Sequence, residues 1–218
     1  MSDRPIAAPV ASPGPTTAGN GARLIALIGA AAAALLLAIV PHEESGRTVS
    51  PQIDAAGSVR VEHVSGRQYL RAYLDIAGIP TACDGITRGV RMGQSFTEAQ
   101  CTAKLIEEIE IHARGALRCA PSLARPGRDY QRAAAISLTF NIGVGGFCGS
   151  SVRRAFEAGQ VAYACDRFLP WNKARVRGQL RPVRGLTLRR QREREICLTG
   201  LTADRTPQNL RARMERYR

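Results

Sequence analysis

The chain has 218 residues, 44% of them hydrophobic, and carries 31 basic against 18 acidic side chains for a formal charge of +13. That length buries one ordinary core, and a field of this sign excludes cationic partners and concentrates polyanions. The bases are almost all arginine, spread along the chain rather than clustered beside stacking aromatics, with only five Phe, five Tyr and one Trp. This pattern argues against nucleic acid as the partner and fits an anionic cell wall or membrane surface.

Residues 1–21 are rich in Pro, Ala, Gly, Ser and Thr and read as a disordered cytoplasmic tail. From Leu24 to Val40 (40 − 24 + 1 = 17 residues) no charge occurs. As a helix this run reaches about 25 Å against a bilayer core of about 30 Å. Nine of its residues are Leu, Ile or Val and eight are Ala or Gly, so its insertion energy is at most roughly −4.5 kcal/mol. The run therefore predicts a weak transmembrane or signal-anchor helix over residues 22–41. A cleavable signal peptide is the alternative, although Pro41-His-Glu-Glu is a poor cleavage site. Arg4 and Arg23 precede the run and Glu43 and Glu44 follow it, which puts the N-terminus inside and the domain in the periplasm, anchored to the inner membrane or released from it.

Residues 42–58 read as a linker, and the domain is expected over residues 59–202, with a basic tail at 203–218. Val59 to Leu70 is expected to be helical up to Ser65-Gly66. Gly78, Pro80 and Gly85 among β-branched residues predict short strands joined by tight turns from Ile76 to Thr87. Thr97 with Gln100 forms a capping box before a helix from Cys101 to about Ala116. Glu107, Glu108 and Glu110 are expected on its solvated face. Further helices are predicted over 129–142, stopped by Gly143, over 150–158, over 161–168 before Pro170, and over 186–198. A small β-hairpin sheet followed by a helical bundle is an α+β arrangement, mostly α.

All six cysteines follow residue 80. An even count in the exported part predicts three disulfides, although six cysteines permit 15 pairings. Proximity pairs Cys83 with Cys101, Cys119 with Cys148 and Cys165 with Cys197. No CxxC occurs and the histidines (His42, His63, His112) are scattered, so neither a metal nor another cofactor is expected.

Asp75 and Thr81 stand five residues apart around Gly78. A carboxylate and a hydroxyl joined by a tight turn can hold one water between them, which is half of an inverting glycosidase site. The segment from Tyr73 to Gly85 resembles the active-site hairpin of phage-type lysozymes, the endolysin family of glycoside hydrolases, whose pattern is Glu, eight residues, Asp, five residues, Thr. Phe140-Asn-Ile-Gly143, Ser150-Ser-Val-Arg-Arg-Ala-Phe-Glu-Ala-Gly159, Trp171-Asn-Lys173 and Gly185-Leu-Thr-Leu-Arg189-Arg-Gln-Arg-Glu193 resemble words of that family in the same order. Taken alone, the Arg-Arg-x-x-Glu element reads as a surface ion-pair helix. Some endolysins similar to this chain carry a weak signal-anchor that later leaves the membrane.

The resemblance implies a lysozyme-like domain acting as a monomer on peptidoglycan, with Asp75 and Thr81 on the water side of the sugar and a glutamic acid opposite. Counting back nine from Asp75 lands on Gly66, and neither Ser65 nor Arg67 supplies an acid. The usual Glu is therefore expected to be replaced. Glu62, one helical turn earlier, and Asp84, beyond the hairpin turn, are the candidates. Two functions follow: a muramidase that lyses the host cell by cutting the linkage between N-acetylmuramic acid and N-acetylglucosamine, or a catalytically impaired lysozyme-like protein that binds cell wall.

Overall fold

In the structure, a computed structural model that describes residues 19–75 and 78–217, the apolar N-terminal run is part of the core. It forms two helices, α1 (Ala22–Ile28) and α2 (Ala30–Ser45), bent by 111° at Gly29, whose φ of +83° only glycine adopts readily. Leu24, Ile28, Ala32, Ala33, Leu36, Leu37 and Val40 are fully buried. Among the described residues no single helix is long and apolar enough to cross a membrane, although the bent pair qualifies by length and composition. The remainder of the expected cytoplasmic tail, residues 1–18, lies outside the described residues. Its last part is tied down: Asn20 donates to the Val59 carbonyl and accepts from the Val59 amide.

Two antiparallel strands follow, β1 (Thr48–Ile53) and β2 (Val59–Ser65). Here the structure departs from two expectations, a linker over 42–58 and a helix from Val59. Val59 and Val61 alternate with Arg60 and Glu62, burying one face, which is the two-residue period of a strand. The Asp54 carboxylate, accepting from the Ala56 and Ser58 amides, with Gly57 at φ +77°, closes the turn. The insertion packs on α2 and α3. The chain returns to where it left, for Gly66 faces Gly46 and Arg47.

A two-stranded hairpin, β3 (Tyr73–Leu74) and β4 (Pro80–Thr81), carries the expected tight turn. Helix α3 (Glu98–Cys119) starts at the predicted capping box, with Thr97 Oγ1 accepting from the Gln100 amide and Gln100 Oε1 from the Thr97 amide. At the centre is α4 (Asp129–Cys148), packed against α2, α3 and α7. Its residues from Gln131 to Thr139 are all buried, and Gly143 at φ +76° interrupts it where the glycines predicted a stop. The short α5 (Ser151–Glu157) and α6 (Val161–Asp166) lead to a second hairpin, β5 (Lys173–Val176) and β6 (Gln179–Pro182). Helix α7 (Arg184–Leu198) follows, and then α8 (Leu210–Glu215) within the expected tail. The architecture is α+β, mostly helical, with three two-stranded sheets among the described residues. The disulfides are Cys83–Cys101, Cys119–Cys148 and Cys165–Cys197, as proximity predicts.

Candidate active site

The β3–β4 turn aligns Asp75 and Thr81 through one residue. Ile79 donates its amide to Asp75 Oδ1 at 2.9 Å, and its carbonyl accepts from Thr81 Oγ1 at 3.0 Å. Backbone bonds from the Asp75 amide to the Ile79 carbonyl (3.1 Å) and from the Gly78 amide to the Asp75 carbonyl (2.9 Å) fix the loop. Thr81 is buried and Asp75 half-buried. Because the Thr81 proton is directed to a carbonyl, its oxygen can accept from a water. Burial pushes the neighbouring Tyr73 phenol up, with Tyr69 and Asp75 adding to the shift.

The two residues weighed for the acid lie elsewhere in function or in space. Glu62 is an exposed strand residue paired with Ser50 and accepting from Gln52 Nε2 at 3.0 Å; the structure does not bring it to the hairpin. Asp84 is fully enclosed. Arg47 grips it through Nε at 3.0 Å and Nη2 at 2.7 Å, and Ser45 Oγ donates to it at 2.9 Å. A carboxylate so paired clasps the end of α2 to the hairpin.

That clasp also brings a different carboxylate against the segment that follows the hairpin. Glu44, in the last turn of α2, stands over Gly85, four residues beyond Thr81. A methyl group on Gly85 would lie 3.3 Å from Glu44 Cβ and 3.4 Å from its Oε2. Arg189 Nη1 donates to Glu44 Oε1 at 2.7 Å. The buried Arg189 also reaches Glu193 Oε1 at 3.2 Å and the Ser137 carbonyl at 3.4 Å. Glu193 has no exposed surface and accepts from Ser137 Oγ at 2.7 Å and Arg190 Nη2 at 3.0 Å. Burial pushes the Glu193 carboxyl up, opposed by Arg190, Arg189 and Ser137. Burial also works against the charge on Arg189, but Glu193 and Glu44 outweigh it and hold that guanidinium above its ordinary value. Next to Glu44, Glu43 takes two bonds of 2.6 Å from Arg192. The Arg-Arg-x-x-Glu element is thus a buried clamp, where alone it reads as a surface helix.

The phage lysozyme family model matches residues 64–193. The chain belongs to the phage lysozyme family. The SAR-endolysin of Enterobacteria phage P21 is 33% identical over 152 residues, covering 67% of this chain and 88% of that protein. The SAR-endolysin of Pseudomonas phage phiKMV is 33% identical over 128 residues, 58% of this chain and 77% of that protein. Among solved structures, the muramidase domain of SpmX from Asticaccaulis excentricus superposes with a TM-score of 0.55 at 26% identity, covering 61% of this chain and 88% of that one. In fold alone, the endolysin of Escherichia coli O157:H7 phage FAHEc1 agrees with a TM-score of 0.59 at 24% identity, over 75% and 90% of the two chains. This phage lysozyme is therefore of the signal-anchor endolysin subgroup. Its family match begins at residue 64, after Glu44 and nearly all of the β1–β2 hairpin. Counting back from Asp75 could not reach Glu44: the separation is 75 − 44 = 31 positions, because β1 and β2 intervene. Two signals were available in the lysozyme's sequence, the Val-x-Val alternation from Val59 and a glutamate just ahead of Ser45-Gly46-Arg47 where the apolar helix stops.

Proposed function

We propose that the chain is an exported muramidase that hydrolyses the β-1,4 linkage between N-acetylmuramic acid and N-acetylglucosamine in peptidoglycan, with Glu44 as general acid. The observation that carries this reading is the Glu44 carboxylate over Gly85, four residues past the end of the strand that bears Thr81. Inversion needs an acid on one face of the sugar and a water-activating carboxylate on the other. In this assignment Glu44 protonates the leaving glycosidic oxygen. Asp75 takes a proton from the water that Thr81 orients, and that water attacks the anomeric carbon. Arg189 positions Glu44, and Glu193 positions Arg189. Glu62 has no part in it. Supplying the acid from α2 also removes the reason to read the protein as a wall binder that has lost its acid.

The apolar segment supports a second part of the reading. Straightened at Gly29, residues 22–45 (45 − 22 + 1 = 24) make a helix about 36 Å long, enough to span a bilayer. We infer that the protein is first held in the inner membrane with its domain in the periplasm, and is released when α1 and α2 pack into the core. The test is clearing of chloroform-treated Gram-negative cells by the purified full chain. Wild type should lyse them and Glu44→Gln should not; a Glu44→Gln protein that clears cells at the wild-type rate refutes the assignment.

A further inference from the structure

Among the described residues, hairpin β5–β6 makes no extensive contact with another element. Both of its faces are exposed, and a two-stranded hairpin alone is marginal in water. The register places Lys173 and Arg175 on one face with Leu180 and Pro182, and Ala174 and Val176 on the other with Gln179 and Arg181. Leu180 is 64% exposed and Val176 44%, so each face offers one aliphatic side chain to solvent beside cations. Lys173, Arg175, Arg177 and Arg181 form no ion pair among the described residues. No Asp or Glu occurs from Arg167 to Arg192.

We propose that this hairpin docks on the surface of an anionic phospholipid bilayer. Cations neutralise lipid phosphates there, and exposed aliphatic side chains enter the headgroup and acyl boundary. Nucleic acid or wall carboxylates would use the same arginines but leave Leu180 and Val176 in water, so charge together with apolar exposure favours lipid. The surface is useful in the conformation described here, because the N-terminal apolar run is buried in the core and offers no membrane contact. The inference rests on that packing and not on the assignment of the acid.

The experiment is co-sedimentation of the oxidised full chain with vesicles of phosphatidylglycerol and phosphatidylethanolamine, beside vesicles of phosphatidylcholine. Wild type should bind the anionic vesicles only, and should be released when salt rises from about 0.1 to about 0.5 M, as screening shortens the reach of the charges. Each basic residue near an anionic surface contributes about 1 kcal/mol, so Arg175→Gln, Arg177→Gln and Arg181→Gln together should weaken partition on the order of 100-fold. Leu180→Ser alone should weaken it several-fold. Lysis of purified sacculi, which contain no lipid, should be unchanged in both variants, and this also checks that they fold. Equal binding to phosphatidylcholine, binding that salt does not reverse, or a triple variant that binds like wild type would each overturn the proposal. So would a triple variant that keeps vesicle binding while losing affinity for sacculi, since the hairpin would then serve the wall.

Discussion

Residue by residue, the proposed site divides into groups assigned to react and groups that orient them. Asp75→Asn keeps the shape and the bond from the Ile79 amide, so lysis should vanish with little change in melting temperature. Thr81→Ser should keep part of the activity and Thr81→Val very little, because only the first retains a hydroxyl for the water. Gly66 shows why counting back from Asp75 misled. Its φ is +90°, and a Cβ there would approach the Gly46 carbonyl oxygen to 2.8 Å and Arg47 Cα to 3.0 Å. Both are backbone atoms of the clasp, so Gly66→Glu should lower the melting temperature and supply no acid; a rise in lytic rate would contradict this. Glu193 gives a pH test. Its folded pKa is raised above the ordinary 4.5 by burial, so the native state binds the proton more tightly than the unfolded chain. Stability should then fall as pH rises from about 4.5 through the folded value. Thermal melts of wild type and Glu193→Gln across this range should differ in slope, the variant lacking that component.

Element by element, the decisive unit is the broken pair α1 and α2. Leu24, Ile28, Leu36, Leu37 and Val40 are fully buried, and each such side chain is worth about 1.5–3 kcal/mol over exposure. Together they exceed the roughly 4.5 kcal/mol at most that insertion of the same run offers, so packing can draw the segment from the bilayer. Arg132 closes the break. It donates to the Ile28 carbonyl at 2.5 Å and the Leu123 carbonyl at 2.8 Å from a nearly buried position. Arg132→Leu should strip those carbonyls of their donor and leave more protein in the membrane pellet, with later lysis; a normal distribution between membrane and periplasm would refute this role. Most helices were legible because their punctuation is local: Thr97 with Gln100, Gly143, Gly159 and Pro170 act within one turn. The β1–β2 insertion was not, because Glu62 and Ser65-Gly66 invite a helix if the two-residue period of the valines goes unread. Nor was the buried clamp, since Arg189, Arg190 and Glu193 read as surface charge until α4 covers them.

At the scale of the molecule, the net charge of +13 is divided between cations that bind this protein together and cations that face outward. Arg47, Arg189, Arg190, Arg192 and Arg213 are engaged by carboxylates inside the fold, while the β5–β6 hairpin keeps its charge for a partner. Composition alone could not make that division, because it counts arginines without their neighbours. Family and fold were readable from the order of short words along the chain, and the Asp75–Thr81 pair proposed for the water side from one hairpin. The proposed acid was not, because Glu44 falls in the stretch that read as a linker, and β1 and β2 separate it from the hairpin. That placement has a kinetic consequence. Glu44 sits at the end of α2, so any event that withdraws α2 from the domain withdraws the proposed acid from the segment that carries Gly85. A molecule still threaded through the bilayer would then be half an enzyme, needing no inhibitor to stay silent. Each chain would switch on once, by a first-order escape, and the accumulated protein would work as a clock whose rate is set by the apolarity of residues 24–40.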